Sequence, residues 1–282
     1  MSRILVANVQ PAAGTTAIAA GLGHRLALGG RAVRLVRMAG GPRAAANASE
    51  FARFEWASSP DVPLTEADLP PDDASVVTII EAPDGADGIA IAARIGAKPV
   101  LVTHDSRYTQ EGALVIANHQ RYAGPNAIAE DRLLAAPTVR RLIADSHAQV
   151  LSRSEEGEDA ICQHVVAAAI SHDAADTYFQ RYPRRAVVCR VERVDLALAA
   201  MLTRSECLIL TGGQEPSAYL LDRAGASRDT TVLLAPEGTV ETLRDVEAAF
   251  GLAPFSHDAK VERISELLAS AVAEADLAAL VA

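Results

Sequence analysis

Apolar positions in the first half of the chain fall into short unbroken runs separated by segments of helical spacing. Residues 3–9, 32–36, 76–80, 99–103 and 113–118 are apolar runs without polar alternation, which predicts strands buried on both faces. Between them, residues 15–28 place apolar side chains at helical spacing and stop at Gly29 and Gly30. Further helices are predicted over 43–56, with Trp56 as a packing anchor, and over 89–95, whereas the Pro-, Asp- and Ser-rich 57–73 reads as a loop. A short apolar run at 133–135 precedes a helix begun by Pro137 and Thr138. This alternation predicts an α/β fold, a parallel sheet flanked by helices.

The acidic stretch 152–159 (SRSEEGED) interrupts the pattern and reads as a linker. Beyond it, apolar runs at 165–170, 186–189, 207–210 and 231–235 alternate with helical segments near 195–202 and 217–223, and a final helix covers 260–273. The expected division is therefore a first module over 1–151, the linker, a smaller α/β module over 160–252 and a C-terminal helical extension over 253–282.

A length of 282 residues suits two domains at roughly 150 residues each. Half of the residues are hydrophobic but only 4% are aromatic, so the core is built from Ala, Val, Leu and Ile. No apolar stretch approaches the ~18 uncharged residues of a membrane span, and the N-terminus reads as a strand, not a signal peptide, which places the protein in the cytoplasm. Cys162, Cys189 and Cys207 are widely spaced and read as buried thiols. The seven histidines include no HxxxH or HExxH pair, and His164 and His172 are not expected to bind metal. Residues 1–150 carry 14 basic and 15 acidic side chains and residues 151–282 carry 12 and 21, which argues against nucleic acid or anionic membranes as partners. Lys98 and Lys260 are the only lysines.

That scarcity bears on the segment after the first strand, Val9-Gln10-Pro11-Ala12-Ala13-Gly14-Thr15-Thr16. A phosphate-binding loop belongs at this place, with glycine for close backbone approach, lysine for the outer phosphates and a hydroxyl for Mg²⁺. Measured against GxxxxGK[ST], Gly14 and Thr16 match, Val9 replaces the first glycine and Thr15 replaces the lysine. From the residues alone, Gly14 reads equally as a tight strand-to-helix turn. Losing one partner of a desolvated charge pair costs roughly 2–5 kcal/mol, so weak nucleotide binding is compatible with Thr15 and phosphoryl transfer is not expected. Arg34 and Arg37 are the candidate substitutes, although an arginine fork does not replace a point charge cleanly.

The chain resembles the dethiobiotin-synthetase-like and DRTGG modules at the front of long-form bacterial phosphotransacetylases. Gln10 to Thr16 is similar to that group's "EPFAGKT" except at the lysine, Arg37-Met38 stands for its Lys-Pro pair, and Ile80-Glu81-Ala82 keeps only the glutamate of its "VEG". The resemblance implies a P-loop NTPase-like first module and gives Thr16 and Glu81 as Mg²⁺ ligands. A solvated carboxylate at a strand end is the other reading of Glu81. Over about 155–250 the DRTGG pattern is matched in order by Ala168-Ala169-Ile170-Ser171, Tyr178-Phe179, Val191-Glu192-Arg193-Val194-Asp195, Leu210-Thr211-Gly212-Gly213, Pro216-Ser217 and Val232-Leu233-Leu234-Ala235-Pro236. Glu192 departs from the pattern's aspartate, and Cys189-Arg190 displaces its turn.

Physically, Glu192, Arg193 and Asp195 stand at a helix start, where carboxylates favour the dipole and Asp can cap. Thr211, Gly212 and Gly213 end a strand at a turn expected to leave N–H groups free for an anion. Turn and cap chemistry is one reading of these residues, and a ligand or dimer surface is the other. The expectation is a non-catalytic regulatory protein that senses an adenine nucleotide, with Mg²⁺ only if the altered loop still binds, through Gly14, Thr15, Thr16, Arg37, Glu81, Glu192, Arg193, Asp195, Thr211, Gly212 and Gly213. No catalytic residue is expected. The resemblance implies a homodimer formed through the DRTGG part. The alternatives are an ATP-dependent ligase of the dethiobiotin-synthetase type and an interaction subunit of a separate phosphotransacetylase or other metabolic enzyme.

Overall fold

The N-terminal apolar run becomes β1 (Arg3–Asn8) at the centre of a six-stranded parallel sheet in the computed structural model, which describes residues 3–169, 175–252 and 254–282. The chain continues through α1 (Thr15–Leu28), β2 (Ala32–Arg37), α2 (Ala44–Phe51), β3 (Val76–Glu81), α3 (Gly88–Ile95), β4 (Lys98–Thr103), β5 (Leu114–Gln120), β6 (Ala127–Ala129) and α4 (Arg132–Ala135). The strand order is β2-β3-β1-β4-β5-β6, and Leu5 lies opposite Ile80 on one side and Pro99 on the other. Both faces are covered, as unalternating strands require. Ile4, Val6, Ile79, Val100 and Ile116 pack in one core with α1, and Leu5, Ala7, Ile80 and Leu101 pack in another with Ile91 and Ala92 of α3.

Then follow α5 (Val139–Asp145), β7 (Gln149–Ser152), β8 (His164–Ala167), α6 (Ala175–Phe179), β9 (Arg185–Arg190), α7 (Val194–Leu202), β10 (Cys207–Thr211), α8 (Ala218–Ala226), β11 (Thr231–Leu234) and α9 (Thr239–Ala248). These build a second sheet of order β7-β11-β10-β9-β8, parallel except for the antiparallel edge strand β7. The chain ends in α10 (Asp258–Ala271) and α11 (Glu274–Val281).

Two compact units result, one formed by residues up to Leu134 together with Pro254–Ala282, the other by Ala135–Ala253. This corrects the expected boundaries. The stretch 152–159 is not a linker, because Ser152 pairs with Val232, Glu155 N donates to Arg228 O and Ser154 N donates to Thr231 Oγ1, all inside the second unit. Residues 254–282 are not an extension but part of the first unit. A Cβ on Gly21 of α1 would lie 2.7 Å from Leu268 and 2.9 Å from Ile264, so glycine lets α1 and α10 approach closely. Each unit, counted over its own residues, then has a net charge of −5, so the expected asymmetry disappears.

Other expectations are corrected locally. The helix expected over 43–56 stops at Phe51, and Trp56 lies beyond it, stacked on Phe54 at 5.0 Å and edge-on to His24 at 5.3 Å. The short apolar run at 133–135 belongs to a short helix. The strands β6 and β7 and the helices α9 and α11 had no counterpart in the pattern. Ile170, Ser171 and His172 lie outside the described residues. No helix among the described residues is long and apolar enough to cross a membrane.

Candidate functional site

The loop between β1 and α1 lies at the carboxyl ends of the parallel strands, where open α/β sheets bind ligands. Gly14 has φ 88°, and a Cβ there would lie 2.4 Å from Asn118 Nδ2. Glycine is therefore required by conformation and by space. Asn118, at the end of β5, donates through Nδ2 to Ala13 O at 2.9 Å and fixes the loop against the sheet. Ala12 and His119 also adopt positive φ, 59° and 57°, so backbone strain gathers around this loop. The helix begins with Ile18 N donating to Gly14 O, and no side chain caps it.

Directly behind the loop is a buried polar network. Thr15 Oγ1 and Thr16 Oγ1 both donate to Glu81 Oε1, at 2.9 Å and 2.7 Å. Asn47 of α2 donates through Nδ2 to Thr16 Oγ1 at 2.9 Å and lies 3.4 Å from both carboxylate oxygens. Arg37 Nε stands 3.6 Å from Glu81 Oε2, with the two side chains 0% and 1% exposed. The guanidinium also donates to the carbonyls of Glu81, Ala82 and Gly40. Burial raises the Glu81 pKa above its ordinary value, and the Arg37 charge and the hydrogen bonds from Thr16, Thr15 and Asn47 pull the other way.

The structure thus brings Gly14, Thr15, Thr16, Arg37 and Glu81 together, and it corrects the solvated reading of Glu81. Asn47, Asn118, His104 and His119 had not been singled out. The signal for three of them was available: polar residues immediately closing the apolar strands β4 and β5. Asn47, on a helix, carried none.

The second unit arranges its residues differently. Arg193 grips Asp195 through two nitrogens, at 3.0 Å and 2.7 Å, and Arg190 faces Glu192 at 3.3 Å and 3.2 Å, all four at the surface. The Arg193 bond holds the Asp195 carboxyl below its ordinary range, and the Arg190 bond does the same for Glu192. Neither carboxylate caps α7, whose N-cap is Arg193 itself. The turn after β10 is also not open. Gly212 N donates to Glu237 O at 2.8 Å, Gly213 N to Ala235 O at 3.1 Å, and Thr211 Oγ1 meets Thr239 Oγ1 at 2.8 Å. The expectation of free N–H groups at Gly212 and Gly213 is corrected, because the strand-end turn after β11 takes them. Cys162, Cys189 and Cys207 are buried free thiols, each raised above its ordinary pKa chiefly by burial. Among the described residues no cluster of three or more His, Cys, Asp or Glu could hold a metal ion.

A cavity of about 590 Å³ in the first unit lies elsewhere, beside Lys98, Tyr108, Leu114 and Asp276, and none of the predicted site residues lines it.

Residues 141–249 match the family model of the DRTGG domain, so the second unit carries that domain. Among solved structures, the chain is similar to the CBS and DRTGG domains of the regulatory region of Clostridium perfringens pyrophosphatase, complexed with the activator diadenosine tetraphosphate. The identity is 17%, the TM-score 0.36, and the match covers 43% of this chain and 52% of that one. The chain thus spans about half the length of that structure.

Proposed function

We propose that the protein is a non-catalytic regulatory protein that senses an adenine nucleotide at the loop of its first unit and self-associates through its DRTGG domain. The observation that supports the absence of catalysis is the direction of Thr15. At the position where phosphoryl transfer needs an outward lysine, a buried hydroxyl turns inward to Glu81 at 2.9 Å. What supports binding is the uncapped start of α1 behind Gly14, where backbone N–H groups and the helix dipole favour an anion.

Thr16 and Glu81 would hold Mg²⁺. A hydroxyl and a carboxylate already 2.7 Å apart are oxygen donors of the right kind for this ion. Bound there, Mg²⁺ would offset the repulsion between Glu81 and phosphate oxygens. Self-association rests on the family resemblance and on the exposed Leu202, Tyr219 and Val240 of the second unit. The same resemblance makes a separate phosphotransacetylase the proposed partner enzyme.

A panel of adenine nucleotides with Mg²⁺, read by thermal unfolding, tests the reading. A ligand at 100 times its dissociation constant adds about 2.7 kcal/mol. ATP should raise the midpoint and be recovered intact after incubation. Steady ADP release that disappears in Thr16→Ala would overturn the non-catalytic reading, and no shift with any nucleotide would overturn the sensing one.

A further inference from the structure

We infer that His119, oriented by Glu130, supplies positive charge to this loop, and that its imidazole takes up a proton when a phosphate-bearing ligand binds. The inference rests on the proposed loop site and names a side chain that would touch the ligand there.

Three observations carry it. First, three cations that could serve the loop, Arg37, Lys98 and Lys260, are committed elsewhere. Arg37 is spent on Glu81 and on the carbonyls of Glu81, Ala82 and Gly40. Lys98 Nζ donates to Ala279 O at 2.5 Å and Lys260 Nζ to Pro254 O at 3.1 Å. Second, His119 faces the loop. Its Nε2 lies 3.5 Å from where a Cβ on Gly14 would stand, so the imidazole edge overhangs the residue that admits the anion. Third, the ring is oriented from its other side, with Nδ1 3.4 Å from Glu130 Oε1, and the backbone accepts φ 57° to present it.

The protonation state of the ring decides what Nε2 offers a ligand. With Nδ1–H facing a carboxylate, a neutral ring offers a lone pair at Nε2, which repels a phosphate oxygen. The protonated ring offers an N–H donor at the same place, and a charge-assisted bond to phosphate follows. Binding of an anion therefore favours the protonated ring. The titratable groups facing His119 are Glu130, and His104 after β4, whose ring packs edge-on at 5.4 Å. His104 Nε2 in turn lies 3.3 Å from Ala12 O on the same loop.

The test is isothermal titration of the full chain with ATP and with inorganic tripolyphosphate, at one pH in buffers of different ionisation enthalpy. The proteins are the wild type, His119→Asn and Glu130→Gln. Asparagine tolerates positive φ, so His119→Asn preserves the backbone, and Glu130→Gln separates the orienting charge from the ring itself. The wild type is expected to bind both ligands with net proton uptake. His119→Asn should bind roughly tenfold more weakly with that uptake lost, and Glu130→Gln should lie between. ATP binding with the same affinity and proton uptake in all three proteins would overturn the role of His119 and leave nucleotide sensing standing. Absence of binding by either ligand in the wild type would overturn both.

Discussion

Both units place an arginine against a carboxylate at the carboxyl ends of parallel strands, and the two pairs differ in every physical respect that matters. Arg37 and Glu81 are 0% and 1% exposed, whereas Arg193 and Asp195 are 41% and 38% exposed. The buried pair has taken two charges out of water and needs Thr15, Thr16, Asn47 and three backbone carbonyls to compensate. The surface pair is in near-ideal fork geometry but has water as an alternative partner. The glycines repeat the contrast. Gly14 is hemmed in by Asn118, while Gly212 has nothing within 4 Å of a Cβ and its N–H is already bonded. A built but strained polar site therefore lies in the first unit, and the better-matched family motif in the second is largely turn chemistry in a single chain.

The contrast can be broken most directly at Arg37. Arg37→Leu leaves Glu81 buried with neutral donors only, and removing one partner of such a pair costs about 3–5 kcal/mol. Urea unfolding should show a loss of that size. A loss below about 1 kcal/mol would mean that the pair is solvated in solution.

Lys260 is a further buried charge in the same unit. Burial lowers its pKa from 10.5 to about 8, with Glu50 opposing. A lysine depressed in the folded state binds fewer protons there than in the unfolded chain between those two values. Stability contributed by this group therefore rises with pH over that window, by about 3 kcal/mol at most. Chemical denaturation of wild type and Lys260→Met across the window should show the wild type gaining on the variant, and parallel curves would refute the assignment.

The paired glycines are next in size. Gly14→Ala combines positive-φ strain with a contact at 2.4 Å and should cost about 1–3 kcal/mol. Gly212→Ala carries the strain alone and should stand at the low end of that range. Arg193→Ala, the smallest effect, should cost under about 1 kcal/mol in the stability of the isolated chain. A larger loss that depends on protein concentration would instead place Arg193 in the interface between copies.

What was legible in the sequence follows from what is local. Unalternating runs such as that of β1 reveal a strand buried on both faces, and α1 follows from its own periodicity and its glycine stop. The partner of α1 is a long-range fact. Ala19, Ala20, Gly21 and Gly23 make α1 apolar and small-surfaced nearly all round, which calls for cover on more than one side. Nothing adjacent in sequence says that α10, more than two hundred residues later, supplies it. The acidic stretch 152–159 misled because its polarity is that of a surface turn and not of a linker. The burial of Glu81 was equally hidden, since a glutamate closing a strand looks the same whether water or an arginine from the next strand meets it. Conversely, Thr211-Gly212-Gly213 looked open because the carbonyls that take its N–H groups come from a separate strand end.

Ligand chemistry is proposed for the loop edge of the first unit and not for the turn after β10. Amide hydrogen exchange of the full chain, with and without ATP and Mg²⁺, tests it residue by residue. Added protection is expected over residues 9–18 and 118–120, with residues 190–195 and 211–213 unchanged. Protection appearing at 190–195 and 211–213 while the loop stays as before would contradict it.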